Sequence, residues 1–214
     1  MSSSKPAPFR RVLIALFVIQ FFSWSAMFAL WINAVPFFAG RVLHLGVGGA
    51  QDLQPALVAV SLCFAGYAAL GAAGTLVLPG VIARAGHGLT YGAALLIAAL
   101  GFGLLALAER PVMLVPAFVA IGIGWSAIGS IPYAILGKLA PEGRGAFFTR
   151  LFSFSTVLPQ AVTSLAIALF ASRLFGHDLQ RALVLGAGAM ALAGLIALAC
   201  RPLFAPADAI ADDW

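Results

Sequence analysis

Charge is what this sequence has least of. Among its 214 residues only 9% are Asp, Glu, Lys or Arg, against roughly 25% in an average soluble domain. The hydrophobic share of 63% exceeds the usual roughly 45–50%. These proportions exclude an ordinary soluble fold. Carboxylates are also badly placed for membrane chemistry: Asp52, Glu109, Glu142, Asp178, Asp208, Asp212 and Asp213 all fall in loops, at span edges or in the tail. The chain by itself therefore brings no titratable acid into a membrane. Its two cysteines, Cys63 and Cys200, lie within apolar runs near opposite faces, which argues against a disulfide and for packing roles. The three histidines, His44, His87 and His177, fall in loops on both sides without metal-ligand spacing. They read as solvated loop residues, and neither a metal nor a cofactor is expected. No histidine lies inside a span, and "GWSAI" lacks the closing glycine of a nucleophile elbow. We therefore expect no catalytic site and read the chain as not an enzyme.

What is present is length enough to cross a bilayer six times. A hydrocarbon core about 30 Å thick takes roughly 20 apolar residues of helix, and six stretches qualify, at about 12–40, 54–82, 88–108, 111–137, 147–172 and 179–203. The expected fold is all-α, a single polytopic bundle over 12–203 between an N-terminal segment, 1–11, and a tail, 204–214. The opening "MSSSKPAPFRR" and "VLIALFVIQFF" have the order of a signal peptide. The run continues to about Gly40 without a small-residue cleavage site, so it reads as a retained span. Lys5, Arg10, Arg11, Arg84, Lys138, Arg144, Arg150 and Arg201 fall on one side of this topology, against Arg41, Arg110, Arg173 and Arg181 on the other. That bias places both termini in the cytoplasm, in an inner or plasma membrane. The formal charge of +5 then reflects orientation and anionic headgroups, with no nucleic acid implied.

Polar side chains within spans must face protein or water, and here they fall on faces. In the first span Gln20, Trp24, Met27 and Trp31 share one stripe, with Asn33 roughly opposite. In the fourth, Ser126, Ser130 and Tyr133 align beside Trp125. The fifth carries Ser153, Thr156, Gln160, Thr163 and Ser164 within about a third of its circumference, with Arg150 one turn earlier at the edge. Spans three and six are almost wholly Leu, Ala, Gly and Ile and are expected to touch mostly lipid. The second is intermediate, and its Ala65, Ala69 and Ala73 would let another helix approach. Ser and Thr also bond their own backbone or glue neighbouring helices, yet polar helices beside plain ones are what a solvent-lined path produces. Pro36 and Pro132 should loosen spans one and four. Each lies beyond a Trp-Ser-Ala triplet, at 24–26 and 125–127, which suits a three-plus-three inverted repeat.

The segment "GWSAIGSIPYAILGKLAPEGRGAFFTRLFSFSTVLPQ" resembles the tenth and eleventh helices of the sucrose-transporter-like, glycoside-pentoside-hexuronide:cation symporter branch of the major facilitator superfamily. Trp125, Pro132-Tyr133-Ala134 and Pro159-Gln160, with the short basic loop between, carry that likeness. "QFFSWSAMFALWINAVPF" looks like the seventh helix, and "PGVIARAGHG" like the family's Gly-rich basic loop, keeping Gly80, Arg84 and Gly86 without the acidic residue. Ser153 stands where the family tends to have Asn, and Arg150 where it favours a small residue. The resemblance implies the C-terminal six-helix half of a twelve-helix sugar symporter, in which the seventh, eighth, tenth and eleventh helices line the cavity or the seam. It also implies that the family's essential carboxylate belongs to the half absent here.

Six helices with polar faces need a second six-helix unit to cover them. Either a separate N-terminal-half chain or a second copy as a C2 dimer could do so in the same orientation. The missing acid favours the separate chain, since a homodimer would be at best an uncoupled facilitator. The expected function is a half-transporter for a small polar solute, a sugar or glycoside, working by alternating access. Substrate-binding candidates are Gln20, Trp24, Trp31, Trp125, Ser126, Ser130, Tyr133, Ser153, Thr156 and Gln160, with Arg150 at the cavity mouth. Amides and hydroxyls match sugar hydroxyls, while aromatics stack on apolar sugar faces. The rival expectation is a non-transporting membrane subunit or an inactive fragment of a twelve-helix carrier.

Overall fold

In the computed structural model the described residues are 9–45, 53–174 and 178–210, with backbone alone for 170–174. Every regular element among them is helical. The first helix, α1 (Phe9–Phe37), passes into a wider π turn over Phe38–Val42, in which Leu43 N donates to Phe38 O at 2.9 Å. This widening follows directly on Pro36, which has no N–H to donate and frees the register of the last turns. Then come α2 (Gln54–Ala85), α3 (His87–Ala106), a 3₁₀ turn at Pro111–Met113 leading into α4 (Leu114–Leu139), α5 (Gly145–Leu174), α6 (Leu179–Ala199) and a short α7 (Arg201–Asp208). Six of these helices are long and apolar enough to cross a membrane, and their bounds lie within a few residues of the expected spans. The sixth is shorter than expected. It ends at Ala199 because the chain turns at Cys200 and Pro202 starts a new helix, so 201–203 belong to α7.

Contacts between the ends of elements fix a consistent up-and-down path. Arg41, after α1, reaches Glu109, before α4, at 3.2 Å. At the opposite end Phe9 meets Phe148 of α5 edge to face at 4.7 Å, and Lys138 of α4 donates to Ile210 O at 3.3 Å. The starts of α1, α3 and α5 therefore share one end of the bundle with the ends of α2, α4 and α6. Both described termini lie at that end.

Span three does not mostly touch lipid, and span six is intermediate. In α3, 61% of the residues in its apolar window are buried, the largest share of any span, and in α6 39%. The most exposed spans are α5 and α2, at 17% and 22%. The reason is the small residues themselves. A Cβ on Gly92 of α3 would lie 3.0 Å from Gly194 O, and one on Gly194 of α6 3.1 Å from Gly92 O, so these two backbones pack almost in contact. Composition that reads as plain lipid-facing helix here makes a close seam. From this pair α3 also packs on α4 and α6 on α1, while α2 lies against α4 and α5 against α1.

The α2 seam likewise differs from the expected one. Ala65, Ala69 and Ala73 are exposed, and α2 approaches α4 through Tyr67, Gly71 and Leu78. Glycine permits the closer approach: a Cβ at position 71 would sit 2.5 Å from Trp125 Cδ1.

Two loop readings change as well. His87 is no solvated loop residue, being 2% exposed as the first residue of α3. Asp208 of α7 accepts from its backbone N at 2.8 Å and also meets its ring Nδ1. That carboxylate caps a helix start which the preceding Gly86, at φ 79°, cannot cap with a side chain. Phe204 and Ala207 are fully buried and hold α7 in place. His44 is exposed as expected, and His177 lies outside the described residues. Cys63 and Cys200 are free and half-buried.

Candidate functional site

The polar residue at the head of the α1 stripe, Gln20, is completely buried. Its Oε1 accepts from Tyr91 Oη of α3 at 3.2 Å and lies 3.3 Å from Ser23 Oγ. Its Nε2 donates to Ile128 O of α4 at 3.3 Å. In a regular helix that carbonyl would accept from residue 132, but Pro132 has no N–H. Gln20 thus supplies the donor that the proline removes, and α4 continues unbroken from Leu114 to Leu139. Every polar atom of this side chain is engaged within the bundle. Asn33, opposite the stripe, donates back to Ala29 O of its own helix at 2.7 Å.

One turn further, three of the expected site residues converge. Trp24, Trp31 and Trp125 form a triangle of edge-to-face rings, with centroids 6.0 Å apart for 24–31, 5.3 Å for 24–125 and 5.8 Å for 31–125. All three are half-buried. Tyr67 of α2 joins them, its ring 5.9 Å from Trp125 and its Oη accepting from Trp31 Nε1 at 3.0 Å. Trp24 Nε1 is buried with no hydrogen-bond partner. The cluster thus offers an apolar aromatic surface, with one unspent donor buried in it, close to the midpoints of α1 and α4.

The remaining candidates separate. Ser126 is turned toward α2 at Gly74 and bonds back to Ile123 O at 2.7 Å, so its hydroxyl is used by its own helix. Together with Thr90 it edges a groove of about 400 Å³ between α2, α3 and α4 whose walls are otherwise apolar. Ser130 is half-buried on the same helix. Tyr133 packs on α5, its ring 5.4 Å from the fully buried Phe152.

On α5 the buried side is Phe152, Ser155 and Pro159. The polar stripe lies beside it and is largely uncovered: Thr156 and Thr163 are half-buried, while Ser153, Gln160 and Ser164 are exposed. Ser153 bonds back to Thr149 O at 3.2 Å. Gln160 makes no hydrogen bond to the rest of the described chain, although it sits at the midpoint of a thirty-residue helix. Arg150 is exposed one turn in from the start.

Three features escaped the sequence reading. Tyr91, in an apparently featureless span, anchors Gln20. Tyr67 completes the tryptophan cluster. Ser155 is 2% exposed with an unpartnered hydroxyl. The i, i+4, i+7 set of Tyr67, Gly71 and Gly74 was the available signal for the second, since an aromatic followed by two glycines marks a tighter seam than three alanines. Among the described residues no cluster of His, Cys, Asp and Glu could hold a metal. Comparison with family models, curated proteins and solved structures finds no match to this chain.

Proposed function

We propose that the chain is one six-helix half of a major-facilitator-type carrier and works with a second six-helix unit to move a small polar solute, a sugar or glycoside, by alternating access. The observation that carries this reading is Gln160. An amide at the middle of a membrane helix, exposed and without a hydrogen bond inside its own bundle, would cost several kcal/mol in hydrocarbon. A water-filled path closed by another bundle removes that cost.

The packing supports the same reading. Exchanging α1, α2, α3 with α4, α5, α6 carries each main contact onto another: α1 on α6 becomes α4 on α3, α2 on α4 becomes α5 on α1, and α3 on α6 returns to itself. Three spans per unit invert the second relative to the first, as in a three-plus-three inverted repeat. The exchange also relates the helices carrying the two Trp-Ser-Ala triplets, and their leading rings touch. In this reading Trp24, Trp31 and Trp125 supply the stacking surface, with Tyr133, Thr156 and Gln160 the polar contacts. Gln20 acts behind them by holding α4.

The test is a cysteine scan of α5 in a cysteine-free background. In the assembled complex, positions 153, 156, 160 and 164 should react with a membrane-impermeant thiol reagent, and 157, 158 and 165 should not. Equal unreactivity of the two sets would remove the conduit.

A further inference from the structure

Resting on that half-transporter reading, we infer that the partner is a different six-helix unit, bearing carboxylates at the end of the bundle where α1, α3 and α5 begin, and not a second copy. The spans left uncovered are α2 and α5, so a covering unit must lie against both. At the end in question α2 finishes with Arg84, and α5 begins beside Arg144 and carries Arg150 one turn in. All three are exposed. Arg144 has its guanidinium 5.7 Å from the rings of Phe147 and Phe148, and among the described residues no carboxylate reaches any of the three. The other charged groups described at this end are Arg10, Arg11, Lys138 and Arg201 against Glu142 and Asp208, and Asp208 is engaged by His87.

A second copy with its axis along the membrane normal would present the same end on the same side. Whether α2 met α2, α5 met α5, or α2 met α5, the three arginines, offset only by Glu142, would then give both faces net positive charge at a partly desolvated seam, which opposes pairing. A unit with Asp or Glu at that level turns the same positions into attraction and register.

The probe is an acidic-rim copy of this chain, Arg84→Glu/Arg144→Glu/Arg150→Glu. Wild-type and acidic-rim chains with different tags would carry Ala69→Cys and Ala161→Cys in place of the native cysteines. Each would be reconstituted in zwitterionic vesicles, alone and mixed, and treated with a bifunctional maleimide. The expected result is about tenfold more cross-linked pair in the mixture than in either chain alone. Should the acidic-rim chain fail to fold, the neutral triple variant with Gln at the three positions should raise pairing with itself above wild type. Wild-type chains that cross-link as well as the mixture would overturn the inference in favour of a homodimer. No pairing in any combination would overturn it too, leaving the arginines to anionic headgroups. Because the readout is pairing, it can fail while labelling of α5 succeeds, or succeed while that labelling fails.

Discussion

Gln20 donates from its Nε2 to the carbonyl of Ile128, 108 residues away, at 3.3 Å. Proline at 132 removes the helical donor for that carbonyl, and lipid offers no replacement. A buried amide on one helix and a proline on another are thus two halves of one solution. This explains how α4 carries a central proline while remaining a continuous span.

The two positions should therefore be coupled. Gln20→Leu should lower stability by about 1–3 kcal/mol, since it also removes the acceptor of Tyr91 Oη. In a Pro132→Ala background the amide N–H returns to Ile128, and the cost of Gln20→Leu should fall by about 0.6–1.7 kcal/mol. Thermal unfolding of the four proteins in detergent measures this cycle; strict additivity would separate the two residues.

Gln160→Leu should leave the isolated bundle as stable as before, or slightly more so, because the side chain bonds to nothing in it. Solute uptake by the proposed carrier should nevertheless be lost. Trp24→Ala should also abolish uptake with expression intact, and Trp24→Phe, which keeps the packing but removes the unspent Nε1 donor, should retain only part. Radiolabelled sugar uptake, normalised to membrane protein level, distinguishes these outcomes.

The two faces of α2 predict opposite responses to added bulk. Gly71→Ala forces a methyl against Trp125 and should destabilise the chain by about 1–3 kcal/mol. Ala69→Leu adds volume to an exposed position and should leave the unfolding temperature of the isolated chain unchanged while weakening assembly with its partner. Unfolding curves, followed by pull-down of the partner, check both.

Asp208→Ala leaves the start of α3 without its acceptor and should cost about 0.5–2 kcal/mol locally. Limited trypsin digestion should then cut faster after Arg84 and Arg201. Glu109→Gln provides the control, because its pairing with Arg41 is exposed and a surface bridge is worth about 1 kcal/mol or less.

The six spans were legible because each is apolar over a length set by the bilayer, a requirement that any neighbouring packing leaves untouched. The stripe from Gln20 to Trp31 and the isolation of Asn33 were legible too, since helical period alone fixes which residues share a face. Burial was not. In water a featureless apolar helix seeks the core, and in a membrane it can face lipid or protein at similar cost, so Leu, Ala and Gly in α3 carried no sign of its central place. Close glycine approaches decided it, of Gly92 to Gly194 on α6 and of Gly101 to Ala117 on α4, and these depend on distant segments meeting. The same limit hid His87, whose burial comes from Asp208, 121 residues away, and α7, too short for any hydropathy window. Of the candidate site, the three tryptophans came together as their spacing on two helices suggested, whereas Ser126 and Ser153 turned to their own backbones. Hydroxyl position along a helix does not reveal whether its proton is already spent.

The Asp208 cap also has a consequence for biogenesis. Chains are made from the N-terminus, so the start of α3 emerges long before the residue that closes it. Until the last turn of α7 leaves the ribosome, this turn between the second and third spans stays unsealed. Insertion can proceed span by span, but the start of α3 is capped only once α7 has been made.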